Sequence, residues 1–518
     1  MYQSILYYDT SYDNDPRKHV DLQFQSDMLK DLNLDQLVRS IAIGNYKDFV
    51  SSVLQNPLTS ESDIYYRQEL FKDLENESLF HEIKSLTRTL DHIDSQLVSL
   101  ERLVYREQKE SIFLHVMNEY CDAIASFCEV LRNSSIQSKG LQMVLYCFLE
   151  YVESSHFIEM KTLNQKLVDE IGSVRYSISF AGYTIKISKA SESEDYTKAL
   201  SQLFQGFLIE GKRKGHCRRF QNDNNLNSVE YSILKTVQKM YPVIFQQISD
   251  FMTKYLSYRN NMVESFRKEI QFYISYLEYL KQIKDIGMPC CYPKIVDHVE
   301  KTRIVQGYDL VLGVKLAWEK KVAVMNDFEC LEDERVFVVT GPNQGGKTTF
   351  TRMLGQIHYL ASLGVPVSAQ VADVILCKRV FTHFEHEEVA YNDNGKLQDD
   401  LLRMHHILQH MTDHCFVIIN EMLSSTSYQD AVIIGEKIIQ KLEEYDCISI
   451  YVTFVDELAK REGKTVSLVS IVEEGNEKNR TFKIRRQCSD GLVYAKTLVN
   501  KYKLSYRTIK ERINSKCK

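Results

Sequence analysis

Val336-Phe337-Val338-Val339-Thr340-Gly341-Pro342-Asn343-Gln344-Gly345-Gly346-Lys347-Thr348-Thr349 decides the class of the C-terminal half of the chain. Its first five residues read as a buried strand and Thr348 onward reads as a helix, so the glycine-rich turn sits in a strand-loop-helix context. Glycines at 341, 345 and 346 let backbone N–H groups turn inward around phosphate oxygens, and the helix N-terminus adds its partial positive charge. In that arrangement Lys347 reaches the β- and γ-phosphates of a nucleotide and the Thr348 hydroxyl ligates Mg²⁺. The expected nucleotide-binding set is Gly341, Pro342, Asn343, Gln344, Gly345, Gly346, Lys347, Thr348 and Thr349, with ATP and Mg²⁺ as cofactors.

About seventy residues later Phe416-Val417-Ile418-Ile419 reads as a second apolar strand ending in Asn420-Glu421, where a P-loop enzyme places its acidic strand end. Asn420 can accept hydrogen bonds around hydrated Mg²⁺ but brings no charge. Glu421 is the candidate that polarises an attacking water, so Glu421 and Lys347 are the expected catalytic residues, and Thr348 and Asn420 the expected metal ligands. Ile448–Thr453, Val466–Val472 and Thr481–Arg485 complete a set of short β-branched runs alternating with helices, which reads as an α/β domain after residue 295.

Upstream the texture is helical. No proline falls between Pro57 and Pro242, and Leu70, Leu74, Leu79, Ile83, Leu86, Leu90, Ile93 and Leu97 recur on one helical stripe. A second helical run, from about Ser228 to Ile283, has the length of a lever. Between them Ser173–Phe180 and Tyr183–Ser188 alternate around Ala181-Gly182, the pattern of a hairpin. The expected fold class is thus α + α/β, with an N-terminal helical segment over 1–110, lever helices carrying a small hairpin over 111–295, and a nucleotide-binding domain over 296–518.

A net charge of −6 gives no support to nucleic-acid binding by bulk charge, so any such contact must be local. The densest basic cluster is Lys212-Arg213-Lys214-Gly215-His216-Cys217-Arg218-Arg219; it reads either as a solvated loop or as a phosphate-contacting patch through Lys212, Arg213, Lys214, Arg218 and Arg219. The 12 cysteines form no CxxC pair, which favours reduced thiols and a cytoplasmic location, as does the lack of a signal-peptide pattern or a bilayer-length apolar run. His406, His410 and His414 share a helical face without an acidic or thiol partner, so a solvated or capping role is expected there.

Several elements in series resemble the ATPase of the MutS family of DNA mismatch-repair proteins. Gly341–Thr349 is similar to the family's GPNMGGKST, and Val324-Met325-Asn326-Asp327 to its VPND element. Gly364-Val365-Pro366-Val367-Ser368-Ala369, Arg379-Val380-Phe381-Thr382 and Asn420-Glu421 with Ser425-Thr426-Ser427 follow in family order. Arg480–Ile484, Ser489-Asp490-Gly491, Tyr494-Ala495 and Lys501-Tyr502-Lys503-Leu504 then resemble the family's last strands and helix. Tyr66-Arg67-Gln68-Glu69-Leu70 resembles the start of the family's helical core. The resemblance implies an ABC-type P-loop domain, DNA as a partner, a homodimer, no membrane, and ATP binding that alters how helical arms hold DNA in repair or recombination.

The chain also departs from the pattern. Ala323 stands where an aromatic would stack on adenine, Phe454 where the family has the histidine of Thr-His, and Gly395-Lys396-Leu397-Gln398 where it has Gly-Arg-Ser-Thr. Together with Asn420 these predict slow turnover, with two alternatives: a nucleotide-gated interaction module, or a pseudo-ATPase that no longer handles DNA. The family's mismatch-reading domain carries Phe-x-Glu, and no such domain is expected ahead of the Arg67 region. Phe80-His81-Glu82 and Phe127-Cys128-Glu129 match the letters but fall on apolar helical stripes and read as core.

Overall fold

All five of the β-branched runs picked out after residue 295 are strands in the computed structural model, which describes residues 3–8, 22–182, 184–190, 226–385, 395–472, 480–488, 505–506 and 508–510. The chain divides into two compact units. One is formed by residues 76–136 and 142–265; the other gathers 3–75, 137–141 and everything from 266 onward.

The first unit is helical. Helices Glu77–Glu101, Arg106–Asn133 and Ser155–Ser173 are followed by an antiparallel hairpin of β1 (Tyr176–Ala181) and β2 (Thr184–Lys189), then by helices Ser228–Met240 and Pro242–Tyr255. Gly182, at φ 62°, supplies the left-handed residue that so tight a turn requires. Aromatic side chains fill the core: Tyr120 packs edge-on against Tyr258 at 4.9 Å and Phe127 against Phe148 at 5.3 Å. Phe127 is thus a core residue, whereas Phe80 is only half-buried.

Two expectations about long helices need correction. The stripe from Leu70 to Leu97 is not one helix: it breaks after Asp73, and Asn76 starts Glu77–Glu101 by accepting the N–H groups of Ser78 and Leu79. The run from Ser228 to Ile283 is three helices. Pro242, which has no N–H to donate, opens Pro242–Tyr255 at its first position, and Asn260 takes the Met262 N–H at 2.9 Å where Asn261–Lys284 begins.

The second unit is built on two sheets. The larger has the order β12-β11-β6-β10-β9-β8, with β6 (Val336–Thr340), β8 (Arg379–Phe384), β9 (Cys415–Asn420), β10 (Ile448–Val452) and β11 (Thr465–Val472) parallel and β12 (Arg480–Arg486) antiparallel at one edge. The smaller has the order β3-β7-β4-β5, from β3 (Lys294–Val296), β4 (Arg303–Gly307), β5 (Asn326–Glu329) and β7 (Val371–Ile375). Every residue of β6 and β9 is buried, as expected of parallel strands covered on both faces.

After β6 the chain crosses to the far edge at β8, returns through β9 and β10, and then resumes on the other side of β6 with β11. This reversal of strand order opens a crevice at the C-terminal ends of the strands beside β6.

Helix Lys347–Ser362 leaves β6 and is almost wholly buried. Leu32, which follows helix Leu22–Asp31, enters a notch at Gly355, where a Cβ would lie 2.7 Å from one of its methyl groups and 2.8 Å from Ile418. His358 stacks on Phe416 at 4.1 Å, and burial pulls its imidazole down to about 4, so it packs as a neutral ring. Arg67, fully buried, donates to the carbonyls of Leu6 and Leu363, both at 2.9 Å. Gln68 donates to Pro293 O at 2.9 Å. The Tyr66–Leu70 motif therefore ties early and late segments of this unit together.

Candidate functional site

Register aligns Val339, Val452 and Asn420 in one row across β6, β10 and β9, so the residues that follow these strands converge. The Glu421 N–H donates to Val452 O at 3.0 Å and the Thr453 N–H to Val339 O at 3.1 Å. The glycine-rich loop curls over this row. Gly341 and Gly346 have φ of 116° and 92°, and Gln344 has φ 58°. Gly345 is required by space: a Cβ there would lie 2.4 Å from Ser470 Oγ and 2.9 Å from Pro342 O. The Ser470 hydroxyl, at the end of β11, donates to Gly345 O at 2.6 Å and so pins the loop from the other side of β6.

Lys347 is buried and donates to Gly341 O at 2.8 Å and Pro342 O at 3.1 Å, while its Nζ lies 3.9 Å from Glu421 Oε1. Burial lowers its pKa from the usual lysine value, and the Glu421 carboxylate works against that shift. An ammonium held by neutral carbonyls has an incentive to exchange them for the stronger, charge-assisted bonds of a phosphate.

Thr348 Oγ1 donates to Asn420 Oδ1 at 3.2 Å. Hydroxyl and amide oxygens suit a hard cation that keeps several waters and takes its remaining ligands from phosphates, so the residues present fit Mg²⁺ bound with a nucleotide. Glu421 brings the carboxylate that Asn420 lacks, from a backbone at φ 56°.

Lys347, Thr348 and Glu421 line one wall of a cleft of about 470 Å³, a size suited to a small-molecule ligand. Its other wall is apolar, made by Leu312, Leu316, Val322, Val324 and Phe482. Phe482 is 45% exposed and sits at φ 54°, a conformation bulky residues rarely adopt. Asn326 holds it there, donating from Nδ2 to Phe482 O at 3.1 Å and accepting the Ile484 N–H at 2.8 Å. Asp309 anchors the same wall. Burial pushes its carboxyl up, and it accepts from Leu312 N at 3.0 Å and Gln356 Nε2 at 2.9 Å.

Lys347, Thr348, Asn420 and Glu421 are thus brought together, and the loop residues from Gln344 to Thr349 line the same cleft. Ala323 is buried away from solvent with its N–H facing Met288 Sδ at 3.4 Å. Sequence reasoning missed Ser470, Asn326 and Phe482 as members of the site. Phe482 lies inside a strand that was read correctly, but nothing in a seven-residue run tells which of its side chains will overhang a loop more than a hundred residues earlier.

Lys212, Arg213, Lys214, Arg218 and Arg219 lie outside the described residues, as do Ser489–Gly491, Tyr494-Ala495 and Lys501–Leu504. His406 and His410 stack at 4.0 Å, and among the described residues no group of three His, Cys, Asp or Glu side chains could hold a metal ion. Burial pushes the thiols of Cys121, Cys330 and Cys447 up to about 12, which leaves them protonated packing groups. Among the described residues no helix is long and apolar enough to cross a membrane.

Residues 337–503 match the family MutS domain V. The chain is similar to the DNA mismatch repair protein MutS of Clostridium botulinum (strain Loch Maree / Type A3), 22% identical over 472 residues, covering 85% of this chain and 48% of the relative. It is similar also to that of Ruminiclostridium cellulolyticum, 24% identical over 308 residues (57% and 34%), and that of Desulforamulus reducens, 29% identical over 152 residues (28% and 18%). The chain spans half or less of the length of each of these relatives.

Proposed function

The chain belongs to the MutS family, and we propose that it is an ATP-dependent DNA-binding protein in which Mg²⁺-ATP binding and slow hydrolysis are coupled to DNA clamping or structure sensing in repair or recombination. The observation that carries this reading is the convergence of Lys347, Thr348 and Glu421 on one cleft at the strand ends, with Asn420 bonded to the Thr348 hydroxyl. Backbone N–H groups of Gly346, Lys347 and Thr348 and the Lys347 ammonium bind the phosphates. Thr348 and Asn420 would hold Mg²⁺, which would supply charge neutralisation at the phosphates, and Glu421 orients the water. The base lies on the apolar wall against Phe482, which takes the place of the aromatic missing at position 323. The relatives' names supply DNA and mismatch repair as context; the homodimer and the cytoplasmic location belong to the same proposal.

The test is steady-state ATP hydrolysis by the purified protein alone and with homoduplex, mismatched and branched DNA. DNA-stimulated turnover supports the reading, and turnover indifferent to every DNA contradicts its DNA half. Phe482→Ala is expected to weaken ATP binding by about 1–2 kcal/mol, with Phe482→Tyr retaining it, as equilibrium titration would record.

A second reading, a pseudo-ATPase that holds ATP as a structural ligand, is favoured by Asn420 and by Phe454, which is 48% exposed where a histidine would sense the γ-phosphate. Asn420→Asp separates the two. In a slow ATPase the restored charge is expected to raise turnover about tenfold through tighter metal binding; in a pseudo-ATPase turnover stays at background.

A further inference from the structure

Behind the cleft, one side chain of helix Lys347–Ser362 joins three separate stretches of chain. Gln356 is fully buried and lies one turn beyond Met353, which lines the cleft; Gln356 itself does not. Its Oε1 accepts the Leu310 N–H at 2.8 Å, and its Nε2 donates to Asp309 Oδ1 at 2.9 Å and to Leu32 O at 2.8 Å. Both ends of the amide are engaged, and the partners decide which end is which.

Leu310 opens helix Leu310–Trp318, whose Leu312 and Leu316 form part of the apolar wall. A helix leaves its first N–H groups without partners of its own, and here they are met from two directions. Asp309, the N-cap, accepts the Leu312 N–H at 3.0 Å, and Gln356 meets the Leu310 N–H from a different helix. One oxygen, Asp309 Oδ1, thus takes both Leu312 and Gln356. The residue just before is held separately: the Tyr308 N–H donates to Ser368 O at 3.1 Å and the Ser368 hydroxyl to Tyr308 O at 2.7 Å. Leu32 braces the amide from a third direction, with its own side chain fully buried in the notch at Gly355.

We propose that Gln356 is a positioning residue for nucleotide binding: bonded to Asp309 and Leu310 and braced by Leu32, it sets how far the apolar wall stands from the helix that carries Lys347 and Thr348. Gln356 acts on the nucleotide through that wall, so the inference rests on the reading that the base lies there. Lys347 and Thr348 begin the same helix, and the amide therefore links the grip on the phosphates to the grip on the base. Its removal leaves the Leu310 N–H, Asp309 Oδ1 and Leu32 O each short of a partner where all three residues are buried, and the start of the wall helix shifts to find others. A stacked ring loses much of its contact when its wall moves by about an ångström, whereas phosphates bound through the glycine-rich loop do not sense the movement.

The experiment titrates the purified chain, in the presence of Mg²⁺, with ATP and with inorganic tripolyphosphate, which presents phosphates without a base. Wild type, Gln356→Met, Asp309→Ala, Asp309→Asn, Phe482→Ala and the double variant Asp309→Ala/Phe482→Ala are compared. Gln356→Met is expected to weaken ATP binding about tenfold with tripolyphosphate binding unchanged. Asp309→Ala leaves the Leu310 and Leu32 bonds of Gln356 in place and moves the same way by a smaller factor, so the test stands even where thermal denaturation shows Gln356→Met unfolded. Asp309→Asn keeps an oxygen for Leu312 and Gln356 and retains the wild-type ATP affinity. Phe482→Ala costs less beside Asp309→Ala than in the wild type, because the base has already lost part of its wall. Equal losses for ATP and tripolyphosphate overturn the inference, as does unchanged ATP affinity in a folded Gln356→Met or in Asp309→Ala. A loss in Asp309→Asn as large as in Asp309→Ala, or fully additive losses in the double variant, overturns it too. A wild type that binds tripolyphosphate as tightly as ATP overturns the reading of the base wall, and this inference falls with it.

Discussion

Lys347→Ala is expected to weaken ATP binding by about 3 kcal/mol, more than a hundredfold, and to abolish turnover at ordinary ATP concentrations. Two losses combine. The ammonium that would pair with the phosphates disappears, and so do its bonds to Gly341 O and Pro342 O, which hold the loop closed over its own helix N-terminus. Removal also leaves Glu421 without the cation 3.9 Å away, adding a carboxylate facing the triphosphate with nothing to offset it. Lys347→Arg does not rescue: a planar guanidinium replaces a compact ammonium in a space already bounded by two carbonyls. Equilibrium titration with ATP and Mg²⁺ checks the affinity, and thermal denaturation without nucleotide checks that the fold survives.

Glu421→Gln is expected to have the opposite signature. The side chain is isosteric, so ATP affinity is retained or rises as repulsion with the γ-phosphate is removed, while hydrolysis falls by about 10²–10⁴-fold with the loss of the base. Single-turnover hydrolysis beside ATP titration measures the split. A parallel fall in affinity and rate would assign Glu421 to the phosphate cradle instead of the water.

The elements most legible in the sequence are those fixed by local chemistry. Val336–Val339 and Phe416–Ile419 are uniformly apolar because parallel strands are covered on both faces, and the glycines at 341, 345 and 346 mark places where a side chain would meet either positive φ or, at Gly345, a contact of 2.4 Å. The hairpin of β1 and β2 follows from alternation around Ala181-Gly182. Periodicity, however, records which face of a helix is buried and not where the helix stops, so the breaks at Asn76 and Asn260 passed unseen although both residues are ready N-caps.

The site divided in the same way. Lys347, Thr348, Asn420 and Glu421 could be named from motif and spacing, because their roles follow from being at the ends of two buried strands. Ser470, Asn326 and Phe482 come in through contacts with residues between 125 and 158 positions away, and only register and packing bring them in. Position 323 is the clearest instance: Ala323 is buried, and the aromatic on the cleft wall is Phe482, from the edge strand β12 of the larger sheet.

Calorimetric titration of the purified chain with ATP, with and without Mg²⁺, measures whether the cleft beside β6 is a Mg²⁺-ATP site. Saturable binding at one site per chain is expected, strengthened by Mg²⁺ and lost in Lys347→Ala. No binding to the wild type, or binding that Lys347→Ala leaves intact, would contradict it.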